Sequence, residues 1–531
     1  MTSTSRDQIV FCAVLALLAV AGVWRAELWL YDEPREAELA RAVLQSGEYG
    51  VPTLGGRLFL EKPPLFTWSV ACAWRLLGRP SLLVGRLVAA AYASLALIAL
   101  AWLVRRSLGS AAALVAAGAL ATCWRFHATS HTLILDNALL GCTTLAIVLG
   151  HVVMRERRPW LAALFGLALA LAFLSKGLVG VAGAGLTLAT DRLLALDARI
   201  RRLLVPQALL ACLLPAALWG LVMYRKLGAP FLEEFVVNNH WRRLTSAFRV
   251  NPTPWWYYLQ GLAGGLLPWT PLVPFALVLA HRLVRRRERE RAPGERALAG
   301  LALAWSLSPL LLLQIAQTRS RTYLLPLMPG FALMIALLWQ RQIAPRWLAP
   351  HARLAKLAVV ALGAGAVGAC LVLALLDHDA LALAAFLLAL AALGVLLCAR
   401  HQPARASLAA IALVAAVLIA GRGDWFSARA SAQLSIDPIV RAAWQQAGTR
   451  QLVLWRPHNS WSGAFAFAAD REVPEIFAAD ELLARLTGGA AVVALAEEGT
   501  LEELPAQARA RLALEWRASA NRRTFVLVHA R

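Results

Sequence analysis

Between Tyr31 and Pro64 the sequence gathers side chains able to move protons and hold phosphate: Asp32, Glu33, Arg35, Glu36, Glu38 and Arg41, then Glu61 and Lys62 ahead of Pro63-Pro64. Long apolar runs flank this segment, and ionisable groups beside lipid are costly enough to mark a working surface. Asp32 and Glu33 admit two readings. One is a helix N-cap with Pro34 in the first turn and acids favoured by the dipole. The other is a general base whose carboxyl pKa partial burial lifts toward its working range. Lys62 suits a lipid phosphate and, equally, an interfacial anchor.

Four further segments carry similar groups. Asp136 follows Leu133-Ile134-Leu135 near the end of an apolar run, where a carboxylate must face protein or water. Its bland alternative is a buried structural hydrogen bond. Lys176, in Ser175-Lys176-Gly177, follows the same logic with the opposite charge. His240, Arg242 and Arg243 make a basic patch in Asn238-Asn239-His240-Trp241-Arg242-Arg243. Arg319, Arg321 and Tyr323 either complete a phosphate clamp or flank a helix. Pro254-Trp255-Trp256-Tyr257-Tyr258 reads as an aromatic belt, with sugar stacking as a second use.

The elements that must position these groups are membrane helices. Of 531 residues, 60% are hydrophobic and 16% charged, and mean hydropathy is +0.60. The net charge of +22 would suggest nucleic acid in a soluble chain. Here the basic residues cluster in short stretches between apolar runs, the positive-inside pattern, and a nucleic-acid partner is excluded. The seven cysteines lack ligand spacing and read as small core residues. There is no P-loop, dinucleotide fingerprint or zinc spacing.

Apolar runs near 9–29, 82–104, 111–126, 133–154, 160–175, 178–190, 203–224, 258–281, 299–316, 323–339, 357–376, 380–398 and 406–420 give about thirteen transmembrane helices. The first is read as a retained helix and not a cleaved signal. Amphipathic helices on the membrane surface are expected from Pro34 to Gly47 and from Leu65 to Leu77. Basic clusters at Arg105-Arg106, Arg155–Arg158, Arg192–Arg202, Arg282–Arg291 and Arg341–Arg346 mark the cytoplasm. The N-terminus is then inside, and every segment with candidate chemistry falls on the outer face. The division expected is a membrane domain over 1–425, with outer loops at 30–80 and 225–257, and an α/β domain over 426–531 outside the membrane. In that domain Gln451–Trp455, Ala490–Leu495 and Thr524–His529 read as strands, and Asp480–Leu486 and Leu501–Leu512 as helices.

Carboxylates and cations converging on one face fit the transfer of a group carried on a phosphate-bearing lipid. Lys and Arg would stabilise the departing phosphate while a carboxylate deprotonates or orients the acceptor. A non-enzymatic lipid or solute transporter is the alternative from another class. It would place polar groups at the midplane in two related halves, and no repeat is present.

The chain resembles the GT-C membrane glycosyltransferases, in the branch of the bacterial aminoarabinose lipid A transferases and the protein O-mannosyltransferases. Asp32-Glu33 with Arg35 and Ala37-Glu38-Leu39-Ala40-Arg41, Glu61-Lys62-Pro63, the Asp136 turn, Ser175-Lys176-Gly177, His240 with Arg243, Trp256-Tyr257-Tyr258 and Tyr323-Leu324-Leu325-Pro326 carry the resemblance. It implies a polyprenyl-phosphate-linked sugar as donor and a bacterial inner-membrane enzyme acting on the periplasmic face. Lipid A is the first acceptor to consider, protein or another envelope glycan the second. Residue by residue, it implies Asp32 as the leading catalytic carboxylate with Glu33 beside it and Asp136 as a second. Lys62 and Arg243 would hold the lipid phosphate with Lys176 and Arg321 near, and Tyr323 would line the pocket. Glu61 and His240 would approach a divalent metal ion, the one cofactor implied. Pro34, Pro64 and Asn239 depart from the aminoarabinose branch, in which an acidic residue usually precedes the His.

Overall fold

The computed structural model describes residues 32–194, 199–242, 253–285, 294–316, 319–341, 435–488, 491–520 and 523–531 continuously, with isolated residues elsewhere. The runs expected at 9–29, 357–376, 380–398 and 406–420 lie outside the described residues.

Helix α1 (Glu33–Ser46) has Pro34 in its first turn and ends at Gly47, whose φ of +68° is the left-handed conformation glycine adopts freely. A short hairpin, β1 (Thr53–Leu54) and β2 (Arg57–Leu58), precedes α2 (Leu65–Leu77) and the long apolar α3 (Leu82–Leu108). The run expected as one span at 111–126 is broken. It forms α4 (Ser110–Ala121) and a short α5 (Trp124–Thr129), with Cys123 extended between them. Next come α6 (Asp136–Arg155), α7 (Pro159–Lys176), α8 (Leu178–Leu194), α9 (Pro206–Leu227), α10 (Ala229–Leu232) and a π-helical turn over Glu233–Arg242. The expected span at 258–281 is also broken, into α11 (Tyr257–Gly265) and a stretch ending in α12 (Val273–Arg285), bent by 111°. Gly264, Gly265 and Pro268 at the break explain this, since glycine weakens a helix and proline removes a backbone donor. Helix α13 (Glu295–Ile315), a 3₁₀ turn (Arg321–Leu327) and α14 (Met328–Gln340) follow. Among the described residues six helices are long and apolar enough to cross a membrane, or seven if the bent pair is one span.

The chain forms two compact units. The first, over Met1–Val23, Glu61–Leu65 and Ala89–Trp425, is helical among its described residues. Its α6 packs on α7 and α8, α7 on α9, and α13 on α8, α12 and α14. Small residues bring helices together: Gly166 of α7 lies against the Ala208 backbone and Gly141 of α6 against that of Tyr92. Buried ion pairs tie the helix ends that carry basic clusters. Asp191 takes His151 Nδ1 at 2.8 Å and Arg155 Nη1 at 3.0 Å, and Glu295 takes Arg341 Nη2 at 2.7 Å.

The second unit, Trp24–Leu60, Phe66–Val88 and Phe426–Arg531, joins α1 and the hairpin to the C-terminal segment. There α15 (Asp437–Ala447), β3 (Gln451–Trp455), α16 (Asn459–Ala469), β4 (Glu475–Ile476), α17 (Ala479–Thr487), β5 (Val492–Glu497), α18 (Glu498–Glu502), α19 (Ala506–Ala510), β6 (Leu512–Ala520) and β7 (Arg523–Ala530) build a five-stranded sheet of order β4-β3-β5-β7-β6. Strands β3, β4 and β5 run parallel, and β7 runs antiparallel to β5 and β6. The stretch expected as a helix over Leu501–Leu512 is interrupted at Pro505 and turns into β6, an edge strand with one buried end. Its Ala, Glu and Arg content suits a helix, and pairing to β7 overrides that preference.

Helix α1 departs furthest from expectation. It is packed against α16, with ten of its residues buried, and so is not an amphipathic helix lying on lipid. Gly463 permits the contact, since a Cβ there would lie 2.5 Å from the Pro34 carbonyl oxygen. Arg41 donates to both oxygens of Glu38 at 2.6 and 2.7 Å, and Gln45 reaches Asp470 at 2.8 Å.

Burial pushes the Glu38 carboxyl up to about 7 even though Arg41 pulls the other way. A carboxyl with a raised folded-state pKa binds its proton more tightly folded than unfolded. Its contribution is therefore full below the unfolded value of 4.5 and is lost as pH rises through about 7. The melting temperature should fall across that window, and Glu38→Gln should flatten the slope in a thermal scan against pH. An equal slope in both proteins would refute the assignment.

Candidate active site

The helical unit brings most of the predicted chemistry to one cavity of about 340 Å³. Glu61, Lys62, Lys176, Asn239, His240 and Tyr323 contribute its polar lining, and Leu178, Val179, Ala182, Val236, Leu312 and Leu313 its apolar wall.

Lys176 ends α7 and Asp136 begins α6. Lys176 Nζ donates to Asp136 Oδ1 at 2.6 Å, with the two side chains 8% and 3% exposed. A carboxylate in the first turn of α6 is also favoured by the helix dipole. The ammonium stands 4.6 Å from the centroid of the Tyr323 ring, at cation–π distance. Asp136 is thus a buried partner that fixes a cation at the cavity wall.

Gly177 turns the chain from α7 into α8 at φ +74°, a conformation that disfavours any side chain. Its missing side chain also admits His240, whose Nε2 would lie 2.5 Å from a Cβ there. The His240 ring is held on three sides. Nδ1 is 2.6 Å from the Phe235 carbonyl oxygen, to which it donates, and Nε2 accepts from the Leu178 amide at 3.1 Å. The Phe235 ring packs edge-on at 4.8 Å. The π-helical turn makes this geometry, because it sets His240 five residues after Phe235, facing its carbonyl. Asn239 donates from its amide nitrogen to the Glu234 carboxylate at 3.1 Å and to the Glu234 carbonyl oxygen at 2.8 Å.

Lys62 lies on the same cavity, its Nζ 3.9 Å from Glu61 Oε2. Glu61 and His240 thus share the cavity, but as folded they do not make a metal site. Both His240 nitrogens are engaged, and among the described residues no group of three or more His, Cys, Asp or Glu is placed to hold a metal ion.

Arg321 does not line this cavity. It donates to Gln260 at 3.3 Å and lies over the Tyr257 ring at 5.4 Å. Arg243 lies outside the described residues. Asp32 and Glu33 belong to the second unit. Asp32 sits at the N-cap position of α1 without capping it, one third exposed and 2.9 Å from Arg35 Nη1. Glu33 is fully buried, with Arg86 Nε and Nη2 on its two oxygens at 3.0 and 3.1 Å. That paired geometry holds α1 to the start of α3. The apolar wall of the cavity was not singled out from the sequence, since Val179 or Leu312 looks like any other residue of an apolar run.

The fold is that of the GT-C membrane glycosyltransferases. The structure superposes on ArnT from Cupriavidus metallidurans bound to undecaprenyl phosphate with a TM-score of 0.74, covering 98% of this chain and 97% of that one at 21% identity. Residues 61–224 match the family model of dolichyl-phosphate-mannose-protein mannosyltransferase. The undecaprenyl phosphate-α-4-amino-4-deoxy-L-arabinose arabinosyl transferase of Pectobacterium carotovorum is 31% identical over 352 residues, 64% of this chain and 59% of its own length. That of Pseudomonas aeruginosa is 31% identical over 316 residues, 58% of this chain and 55% of its own. The chain thus spans less than two thirds of the length of these relatives. The resemblance read from the motifs and these similarities agree.

Removing one partner of the buried Asp136–Lys176 pair leaves the other charge uncompensated, at a cost of about 3–5 kcal/mol. Asp136→Asn and Lys176→Met should each lower stability by that order in denaturant unfolding. The double variant should be less destabilised than the sum of the two. Additive losses would mean the groups do not interact.

Proposed function

We propose that this chain is a glycosyltransferase that moves a sugar from a polyprenyl-phosphate donor to an acceptor at the periplasmic face of the inner membrane, with lipid A as the acceptor. The observation that carries this reading is the mixed character of the cavity: Lys62, Lys176 and Tyr323 beside an apolar wall from α8 and α13. A polyprenyl phosphate is one small anionic head on a long apolar tail, and such a wall accommodates both parts.

In this mechanism the donor phosphate lies against Lys62 and Lys176. Asp136 holds Lys176 in place and Tyr323 covers the ammonium. The acceptor oxygen attacks the anomeric carbon as the bond to the phosphate oxygen breaks, and the polyprenyl phosphate departs with the bonding pair. Fixed cations stabilise the charge that grows on the leaving phosphate. The acceptor proton passes to a carboxylate, for which the family resemblance nominates Asp32. Its partial exposure leaves an oxygen able to accept a proton, whereas Glu33 has both oxygens on Arg86. Arg243 is proposed as a further phosphate ligand from the resemblance alone. No step is routed through a metal ion, and full activity after chelation is expected.

Mass spectrometry of lipid A and of the polyprenyl-phosphate pool, in cells with and without the protein, tests the reading. A sugar mass gained on lipid A should disappear with Asp32→Asn, and Lys62→Ala should weaken carrier binding about tenfold. Full transfer by Asp32→Asn would remove that residue from the chemistry. No change in lipid A with build-up of the carrier-linked sugar in the deleted strain would move the acceptor to protein or another glycan. No change in either pool would defeat the transferase reading.

A further inference from the structure

We propose that Arg125 and Arg321 form a second anion site, distinct from the cavity of Lys62 and Lys176, that takes the phosphomonoester headgroup of a membrane lipid. If the transferase reading holds, this site seats the acceptor, and that clause alone rests on it.

Three packed elements bring the two arginines together: α5, α11 and the 3₁₀ turn at Arg321–Leu327. Gly261 and Gly265 stand one turn apart on the same stripe of α11. A Cβ on Gly265 would lie 3.1 Å from Arg125 Cβ, and one on Gly261 3.6 Å from Arg321 Cγ. The glycine stripe therefore gives both arginine stems their seats.

Like charges placed this way repel unless something negative sits between them. Among the described residues Arg321 is the cation that acts on Arg125, and no carboxylate offsets it. Arg125 Nε is buried without a hydrogen-bond partner. Burial first, and then the Arg321 charge, disfavours the Arg125 cation. Arg321 has a neutral hydrogen-bond partner, Gln260, and the Tyr257 ring beneath it. Stacking on a ring leaves the edge of a guanidinium, where its N–H groups lie, open to an anion.

The neighbouring Arg319 is different. Its three nitrogens donate to the carbonyl oxygens of Ala316, Pro254 and Gln314, so it ties the loop together and is not part of the site. Exposed Trp255 and Trp256 precede α11, and paired tryptophans of this kind mark the level of lipid headgroups. The basic-cluster rule puts the turns after α5 and before Arg321 on the outer face, where positive charge is otherwise scarce. Two guanidinium forks suit the several oxygens of a phosphomonoester better than a single-charge diester, and the tryptophans favour a ligand anchored in the bilayer.

The test uses the full chain in phosphatidylcholine nanodiscs with and without about 10% phosphatidic acid, a phosphomonoester lipid. Retained lipid is counted by native mass spectrometry and stability by thermal unfolding. Wild type should retain phosphatidic acid and melt higher in its presence. Arg125→Gln and Arg321→Gln should each bind it about tenfold more weakly at this site while keeping the cavity-bound copy that Lys62→Gln loses. Without phosphatidic acid, Arg125→Gln should melt no lower than wild type, because it removes a repulsion; a misfolded variant would melt lower. Competition by millimolar inorganic phosphate would show that the headgroup suffices, and retention in its presence that the lipid anchor is required; either supports the site. Wild-type retention by both variants, or loss from the arginine variants of the same copy that Lys62→Gln loses, would overturn it. Binding is read without turnover, so unchanged lipid A and polyprenyl-phosphate pools in the deleted strain would end the transferase reading and leave this result standing.

Discussion

The bond between Asp136 and Lys176 is the interaction on which the helical unit's chemistry depends. An ammonium at the end of one apolar helix and a carboxylate at the start of another could not stay ionised there separately. Desolvation would neutralise or expel each of them. Joined at 2.6 Å they hold the α6 and α7 ends together and leave one face of the ammonium toward Tyr323 and the cavity. The next residue, Gly177, must be glycine for two independent reasons: its positive φ, and the space its missing side chain leaves for His240. The pair, the turn and the imidazole therefore constrain one another, and a change at any of them is felt at the cavity wall.

Buried pairs of this type recur through the chain and account for its charge pattern. Glu33 with Arg86, Glu38 with Arg41, Asp191 with Arg155 and His151, and Glu295 with Arg341 are all buried or largely so. Acids number 31 against 53 Lys and Arg, so carboxylates used to neutralise cations inside leave a surplus of positive charge elsewhere. Most of that surplus falls in the clusters that set orientation. Among the described residues Arg125 and Arg321 act on each other with no carboxylate offsetting the Arg125 charge.

What was legible in the sequence follows the same division. A charge beside lipid is expensive, so Glu61, Lys62, Asp136, Lys176 and His240 could be picked out, and the fold brings these five to or beside one cavity. Residues whose role depends on packing were silent. Leu312 and Val179 gain meaning only from the helix they face, and Arg125, inside the run expected at 111–126, was not singled out. Glu33 shared the signal of Asp32, yet burial against Arg86 separates the two. Strand β6 was not singled out, because edge pairing leaves little mark on side-chain choice. The π-helical turn was hidden for a related reason: one extra residue per turn is set by backbone bonding and not by residue type. The burial of α1 under α16 depends on Gly463, more than 400 residues along the chain, a distance no local periodicity spans.

Under the proposed reading, the cavity's composition also explains why the departures from the aminoarabinose branch would leave the reaction class intact. Its fixed charges and apolar wall suit a phosphate and a hydrocarbon chain, features common to every polyprenyl-phosphate sugar. Discriminating one sugar from another requires hydrogen-bonding groups matched to particular hydroxyl or amino positions, because an unmatched buried polar group is what penalises the wrong substrate. Asn239 occupies that kind of position. It lines the cavity, and its amide nitrogen is tied to Glu234, so the carbonyl oxygen of its side chain is the end turned away from that bond. An acidic residue there would present a charge suited to an amino sugar, whereas an amide presents a neutral acceptor suited to a hydroxyl. In the proposed mechanism donor specificity would thus be set apart from donor anchoring, with Lys62 and Lys176 facing the phosphate and Asn239 facing the sugar.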